Sequence, residues 1–327
     1  MATTTMTRTM EAAVVTGPGR ISIDEVAVPE PGPGEIRVWL EGCGVCASNL
    51  TPWAGPEWMR FPTEPGGLGH EGWGIVDAVG PGVERLAVGD RVATLFQKSY
   101  ARYDVGDAAA AVRLPPALDG QPFPGEPLGC AMNIFRRSDI AAGHTVAIVG
   151  AGFLGAILTR LASDAGARVI ALSRRPFALE VARRMGASET ILMDDHYAII
   201  ERVKALTRGA FCDRVVEATG KQWPLDLAAE LTRERGKLVI AGYHQDGPRQ
   251  INMQLWNWRG LDVVNAHERD PSEYLRGMVE AVELVAGGKL DPRPLYTHFY
   301  PLEQLDEALN ATRDRPDGFL KALVVMA

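Results

Sequence analysis

In the N-terminal third of the chain, short apolar runs alternate with turns rich in glycine and proline. The runs have the length of β-strands and are Glu11–Val15, Ile36–Leu40, Trp73–Val79 and Asp90–Thr94. Turn signals separate them, at Gly17–Gly19, Pro31–Gly34 and Gly80–Gly82. Many short strands with turns between them are typical of a barrel or sandwich, so we predict a small β-rich domain here.

The pattern changes near Pro127, and from Thr145 onward apolar strands alternate with helix-length segments. Helices are predicted over Phe153–Ala165, whose apolar side chains recur at helical spacing, and over Phe177–Met185. Alternation of this kind indicates an α/β domain with a parallel, doubly wound sheet. The predicted strands are Thr145–Val149, Arg168–Leu172, Thr190–Met193, Asp213–Glu217, Lys237–Ala241 and Leu261–Val264.

The last 60 residues are too few for a third domain. Their pattern predicts a helix, a strand, a short helix and a final strand, at Ser272–Ala286, Tyr296–Tyr300, Leu302–Leu309 and Ala322–Met326. We expect this tail to pack back on the first domain. The predicted organisation is therefore residues 1–130 for the first part of the β-rich domain, 131–267 for the α/β domain and 268–327 for the returning segment.

Composition and charge limit the classes of function. The chain has 327 residues, 46% of them hydrophobic, which suits two globular domains. A net charge of −7 gives no electrostatic reason to expect nucleic acid or an anionic membrane as partner. Four cysteines are too few for a disulfide scaffold. The segment Met1–Thr9 lacks an apolar core, and no run approaches the roughly 20 apolar residues of a membrane span, so we expect a cytoplasmic protein with a frayed start.

A glycine-rich loop follows the first strand of the α/β domain. It carries Gly150, Gly152 and Gly155 in the pattern G-x-G-x-x-G and opens a helix, with Phe153 and Leu154 between the last two glycines. In this setting the first glycine permits the turn, the second lets the backbone approach a pyrophosphate, and the third lets helix and strand pack closely. The helix N-terminus adds free N–H groups for the phosphates. The loop predicts a dinucleotide site.

The end of the second α/β strand indicates which dinucleotide binds. NAD sites place an acidic residue there to bond the ribose hydroxyls. This chain has Ser173, Arg174 and Arg175 instead. A carboxylate would repel a 2′-phosphate, whereas a hydroxyl and a guanidinium suit it. We therefore predict that NADP(H) is preferred over NAD(H).

Candidate metal ligands are concentrated in the β-rich part of the chain. The run Gly42–Asn49 contains two cysteines, Gly69–Gly72 contains a histidine and a glutamate, and Cys130 stands where the chain enters the α/β domain. With the glycine loop after them, these motifs resemble, in kind and in order, the zinc-containing branch of the medium-chain dehydrogenase/reductase superfamily. The resemblance covers essentially the whole chain. It implies a GroES-like catalytic domain and a Rossmann domain.

The resemblance also implies a role for each side chain. Cys46, His70 and Cys130 match the catalytic zinc ligands, and this set leaves the fourth tetrahedral position open for water or substrate. Glu71 matches a carboxylate that lies beside the metal and can occupy that position. Ser48 matches the hydroxyl that relays the proton of the alcohol.

Four features depart from the family pattern. The stretch Leu95–Gly106 has no cysteine, so the lobe that carries a structural zinc in many relatives is missing and one zinc per chain is expected. Asn49 replaces an aspartate that hydrogen-bonds the zinc histidine; an amide can still accept that bond, without a charge. Thr51 replaces a histidine at the end of the proton relay, and Ala47 replaces a basic residue that contacts phosphate.

The implied activity is hydride transfer between NADP(H) and an alcohol or ketone, with a polyol, sugar-like or cyclic secondary alcohol as substrate. Lys321 matches a basic residue that often contacts the cofactor pyrophosphate. Family members are usually homodimers or homotetramers, and we expect the same here. Aromatic and imidazole side chains that wall the pocket or fill the core are Trp53, Trp58, Phe61, Trp256, Trp258 and His267.

Three other interpretations remain at this point. A zinc-free quinone or enoyl reductase of the same superfamily would share both domains and NADPH, but it would not need the three zinc ligands together. A non-catalytic NADP(H)-binding protein would tolerate the changes at Asn49, Thr51 and Ala47. A thiol redox protein would use Cys43 and Cys46 as a C-x-x-C pair, although the glycines around them do not favour the helix that such pairs usually begin.

Overall fold

A computed structural model describes residues 8–326 of the chain, which form two compact units. The first unit runs to Gly129 and resumes at Met278, and the second is Cys130–Gly277. Each boundary falls inside a helix, Gly125–Ser138 (α2) or Pro271–Ala286 (α8).

The domain bounds predicted from the sequence differ from these units mainly at the second boundary, where they assign residues 268–277 to the returning segment. The frayed start predicted for the first residues falls largely on residues 1–7, which lie outside the described part.

The first unit contains a hairpin and a larger sheet. β1 and β2 form the hairpin, and the sheet has the order β14-β15-β3-β4-β5-β7, with β6 also paired to β3. Helices α1 (Leu50–Ala54) and α9 (Leu305–Asp314) belong to the same unit. Its strands are β1 (Thr9–Gly17), β2 (Arg20–Ala27), β3 (Glu35–Gly44), β4 (Gly72–Val79), β5 (Arg91–Thr94), β6 (Tyr103–Asp107), β7 (Ala111–Arg113), β14 (Tyr296–Pro301) and β15 (Lys321–Val325).

Strand β3 shows why this sequence forms a sheet with one buried face. Ile36, Val38 and Leu40 alternate along it and are fully buried, whereas Trp39 points to the other face and is 44% exposed. This period of two is the signature of a half-buried strand. The buried side chains pack with those of β4 and β5, including Val76.

The second unit is a parallel sheet with helices between its strands. The strand order is β10-β9-β8-β11-β12-β13, and every adjacent pair is parallel. The strands are β8 (Thr145–Val149), β9 (Arg168–Ser173), β10 (Glu189–Leu192), β11 (Cys212–Glu217), β12 (Thr232–Ile240) and β13 (Asp262–Asn265). The helices are α3 (Phe153–Asp164), α4 (Pro176–Arg184), α5 (His196–Leu206), α6 (Gln222–Leu231) and α7 (Met253–Arg259).

The strand order sets where this unit can bind a ligand. β8 is a continuous apolar run, buried from Val146 to Val149, as expected for a central parallel strand covered on both faces. The chain leaves β8 toward β9 and β10, and it returns to the other side of β8 at β11. The carboxyl ends of β8 and β11 therefore border the crevice where open α/β sheets bind ligands.

The structure confirms the predicted fold class, a β-rich GroES-like domain with a Rossmann-type parallel sheet. It adds elements that the pattern did not reveal, among them β2, none of whose side chains is fully buried and which shows no clean alternation. Strand β12 begins at Thr232, five residues before the predicted start, because Thr232 already pairs with Cys212 of β11, ahead of a register shift in that pairing. Among residues 8–326, no helix is both long and apolar enough to cross a bilayer.

Candidate functional site

Three of the predicted metal ligands converge in the first unit. One ligand atom each from Cys46, His70 and Glu71 lies within 4.8 Å of the others. The pairing of β3 with β4 brings them together, because Cys43 lies opposite Gly72 in antiparallel register. The residues that follow β3 and those that precede β4 therefore meet at the same end of the sheet.

Glycines beside these ligands allow the close packing that the site needs. A methyl group on Gly69 would lie 2.4 Å from the backbone nitrogen of Tyr100, and one on Gly72 would lie 2.5 Å from the Ser99 hydroxyl. A methyl group on Gly44 would lie 1.8 Å from Oε2 of Glu71. Glycine is required at these three positions because other parts of the chain, or the Glu71 carboxylate, lie where a side chain would be. Backbone conformation is not the reason, since none of the three has a left-handed φ.

The ring of His70 is oriented by a backbone carbonyl. Its Nδ1 lies 2.9 Å from the oxygen of Leu68, so Nδ1 carries the proton and donates it. In the neutral imidazole, the form that can bind a metal, Nε2 keeps a lone pair. Nε2 lies 3.5 Å from the hydroxyl of Ser48. Burial lowers the pKa of His70, but Cys46, Glu126 and Glu71 raise it more strongly, to about 10.

Asn49 does not accept the hydrogen bond of the zinc histidine, so the sequence interpretation was wrong on this point. The Oδ1 of Asn49 accepts from the Tyr100 hydroxyl at 2.9 Å, and its Nδ2 donates to the Leu68 carbonyl at 2.8 Å. The sequence also gave no reason to place Leu68 or Tyr100 at the site. Leu68 lies between glycines in a turn, and its left-handed φ of 75° is visible only in the structure.

Glu71 forms a buried ion pair with Lys321. The Nζ of Lys321 lies 2.6 Å from Oε1 and 2.5 Å from Oε2, and it also donates to the carbonyl of Val45 at 3.1 Å. Burial opposes the charge on Lys321, but Glu71 and Cys46 outweigh it and raise its pKa above the ordinary value. Lys321 thus holds the carboxylate beside the candidate ligands, and its predicted contact with a pyrophosphate stays a prediction.

The donor set fits a zinc ion. A cysteine sulfur, an imidazole nitrogen with its other nitrogen already bonded, and a carboxylate oxygen are all ligands that zinc accepts. Within residues 8–326, buried Oε2 of Glu71 has no hydrogen-bond partner other than the ammonium of Lys321, 2.5 Å away. Cys130, the remaining predicted ligand, is the first residue of the second unit and lies in α2.

In the second unit, the glycine loop has the geometry that its sequence predicts. Gly150 has a left-handed φ of 108°, which makes the turn after β8. A methyl group on Gly155 would lie 1.9 Å from the carbonyl of Gly150, so the start of α3 packs directly on the loop. At Gly152, the residue before Phe153 and Leu154 in α3, a methyl group would meet nothing within 4 Å. The free space there is open to a ligand.

The residues predicted to bind a 2′-phosphate lie at the end of β9 and just after it. Ser173 is buried at the end of the strand, and its Oγ accepts a hydrogen bond from the backbone N–H of Arg175 at 3.2 Å. The hydroxyl proton is then directed elsewhere and can be donated. Arg174 is exposed, and Arg175 is partly buried at the start of α4.

The aromatic side chains named from the sequence fall into different environments. Trp53 is 5% exposed and packs in the core of the first unit, and Phe61 packs against the same cluster. Trp58 and Trp258 are 65% and 83% exposed. In the second unit His267 stacks on Tyr243 with the ring centroids 5.1 Å apart.

Comparison with known proteins connects both units to one family. The model for the alcohol dehydrogenase GroES-like domain matches residues 32–118, and the model for zinc-binding dehydrogenases matches residues 154–283. Together they cover more than half of the chain.

Individual members of this family are similar to the chain over almost its whole length. Sorbitol dehydrogenase of Gallus gallus is 27% identical over 92% of this chain and 93% of its own. Sorbitol dehydrogenase of Bacillus subtilis is 27% identical over 98% and 99%. The structure of a protein described as a zinc-binding dehydrogenase from Sinorhizobium meliloti, bound to NADP, superposes with a TM-score of 0.83 at 27% identity over 97% of this chain and 99% of that one. The chain therefore belongs to the zinc-type medium-chain dehydrogenase/reductase superfamily and is an oxidoreductase acting on alcohols.

Proposed function

We propose that the protein is a zinc-dependent alcohol dehydrogenase or ketone reductase that uses NADP(H). The observation that carries the proposal is the convergence of Cys46, His70 and Glu71 within 4.8 Å. Cys130 is proposed as a further ligand on the family pattern. Bound zinc supplies Lewis-acid polarisation of the substrate oxygen, and bound NADP(H) accepts or supplies the hydride.

The chain's own residues position the reactants and move the proton. Ser48 lies 3.5 Å from Nε2 of His70, and in the oxidative direction its hydroxyl accepts the proton of the substrate alcohol while it passes its own proton on to solvent. Lys321 keeps the carboxylate of Glu71 in place within the cluster. Ser173 and Arg174 bind the 2′-phosphate, and the glycine loop binds the pyrophosphate.

Polyols and related secondary alcohols are the proposed substrates. The support is the similarity to sorbitol dehydrogenases along almost the whole chain. NADP(H) is supported by the residues after β9 and by the related NADP-bound structure. We also propose a cytoplasmic homodimer or homotetramer, which light scattering on the purified protein will identify.

The first experiment is elemental analysis of protein purified without chelator, on the wild type and on Cys46→Ala. About one zinc per wild-type chain, lost in the variant, is the expected result for a catalytic site of this kind. A panel of polyols and ketones with NADP(H) then follows. Absence of zinc from a well-folded wild type would contradict the proposal and would favour a zinc-free reductase or a non-catalytic cofactor-binding protein.

A further inference from the structure

The turn before the candidate ligand His70 contains an unusual backbone conformation. Leu68 has a φ of 75°, in the left-handed region that side chains other than glycine rarely adopt. Its carbonyl oxygen accepts two hydrogen bonds, from Nδ1 of His70 at 2.9 Å and from Nδ2 of Asn49 at 2.8 Å. Strained residues of this kind are retained where the surrounding structure holds them, often at functional sites.

The orientation of the Asn49 amide follows from its partners. If the amide were reversed, its oxygen would face the Leu68 carbonyl at 2.8 Å with no proton between them. In the orientation observed, the amide oxygen receives the hydroxyl proton of Tyr100, which is fully buried. Nδ2 of Asn49 and Nδ1 of His70 lie 3.5 Å apart, and both donate to the same carbonyl.

The turn cannot easily rearrange to give His70 another acceptor. The backbone of Gly69 is packed against Ser99 and Tyr100 so closely that no side chain would fit. The carbonyl of Gly69 accepts from the N–H of Ser99 at 3.0 Å, and that of Gly66 accepts from the N–H of Tyr100 at 3.1 Å. The carbonyl of Leu68 is therefore held between two anchored glycines.

We propose that Asn49 is a positioning residue that orients His70 through the Leu68 carbonyl, so that an aspartate at this position would weaken metal binding. This inference rests on the proposed zinc site. Tyr100 fixes the amide, the amide fixes the carbonyl, and the carbonyl fixes the imidazole with Nε2 free for the metal. In this chain a neutral amide and a strained backbone carbonyl do together what a single carboxylate does in relatives with aspartate.

The reason that aspartate fails here is the polarity of the contact with Leu68. A carboxylate oxygen in the place of Nδ2 would face the carbonyl oxygen at about the same 2.8 Å distance, acceptor against acceptor. Position 49 is 3% exposed, so the new charge would be buried. Both effects displace the turn that carries His70.

The test compares zinc affinity, by competition with a chromophoric chelator, in the wild type, Asn49→Ala and Asn49→Asp. We expect Asn49→Ala to bind zinc more weakly than the wild type, and Asn49→Asp to be the weakest, by roughly 10- to 100-fold relative to the wild type. The ligand-field spectrum of the cobalt-substituted protein should change in the same order, a change that loss of stability alone would not produce. Asn257→Asp, at an exposed position in α7, is the charge-matched control and should bind as the wild type does.

Tyr100→Phe tests the same network without adding a charge and covers the case in which Asn49→Asp fails to fold. It removes the proton that fixes the amide, and we expect zinc affinity to fall several-fold. Zinc binding by Asn49→Asp as tight as in the wild type, or an unchanged affinity in Tyr100→Phe, would overturn the inference while the zinc site stands. Absence of zinc binding in the wild type would instead remove the proposed function itself.

Discussion

At the scale of single residues, the candidate site depends on hydroxyl and amide groups whose partners lie far away in sequence. Ser48 follows Cys46 by two positions, and its backbone N–H donates to that sulfur at 3.4 Å. Its hydroxyl nevertheless meets His70, which comes 22 residues later. A short local contact and a long-range one thus combine to place the hydroxyl beside the candidate ligands.

Replacing Ser48 with alanine tests the proton relay. We expect turnover to fall by roughly 100-fold or more, because the alcohol proton loses its acceptor. Zinc content and NADPH affinity should stay at the wild-type level, since Ser48 is neither a proposed zinc ligand nor a proposed cofactor contact. Steady-state kinetics beside elemental analysis measures both, with Ser22→Ala in β2 as a control. Unchanged turnover would exclude Ser48 from the relay.

The proposed preference for NADP(H) also depends on individual side chains. In Ser173→Asp combined with Arg174→Ala, a carboxylate replaces the hydroxyl and a positive charge is lost. We expect NADPH to bind roughly 10- to 100-fold more weakly, whereas NADH changes little. Fluorescence titration with each cofactor measures this, and Arg183→Ala, exposed in α4, is the control. An equal loss for both cofactors would refute the 2′-phosphate assignment.

At the scale of elements, the segment made of β8, the glycine loop and α3 shows that two glycines of one motif serve different purposes. Gly155 has no room for a methyl group because the carbonyl of Gly150 lies against it. Gly152 has open space in front of it. Gly155 is required by the fold, whereas Gly152 leaves space for the cofactor proposed to bind at the loop.

This difference predicts two distinct phenotypes. Gly155→Ala should lower the free energy of unfolding by about 1–3 kcal/mol, because the added methyl forces the helix away from the loop. Gly152→Ala should leave unfolding unchanged but weaken NADPH binding by at least about 10-fold, because the methyl occupies the approach of the pyrophosphate. Denaturant unfolding and cofactor titration on both variants separate the two effects. Similar behaviour of the two would contradict this division of roles.

At the scale of the whole molecule, buried charge makes stability depend on pH. Asp104 is 2% exposed in β6, and burial raises its pKa to about 6 even though Ser99 and two backbone N–H groups donate to it. Its folded pKa is higher than the ordinary value of 3.8. The contribution of Asp104 to stability is therefore complete below about pH 4 and is lost as the pH rises through 6.

Urea unfolding between pH 4 and pH 7 tests this for Asp104→Asn. We expect the variant to lack a stability slope that the wild type shows between about pH 4 and 6, up to about 1.4 kcal/mol per pH unit. The variant should also be less stable at every pH, since an amide cannot accept all three hydrogen bonds. Asp24→Asn, at an exposed position in β2, serves as control. Parallel pH profiles for the wild type and Asp104→Asn would rule the effect out.

The sequence by itself determined the fold class, the order of the strands in the α/β domain and the residues of the two motifs. It did so because hydrophobic periodicity and glycine spacing are local properties: β8, α3 and the loop between them lie where their own residues predict. Cys46, His70 and Glu71 were also identified in advance, although only the register of β3 with β4 brings them together.

Only the tertiary structure decided which groups orient these ligands. Lys321 reaches Glu71 across 250 positions, and Tyr100 reaches Asn49 across 51. The role of Leu68 could not be predicted from its side chain, because the group that bonds His70 is a backbone carbonyl, which every residue has. Hydrogen-bond partners depend on the distances and directions that the folded chain creates. The amide of Asn49 therefore bonds the carbonyl of Leu68, which lies closer to it than the ring of His70 does.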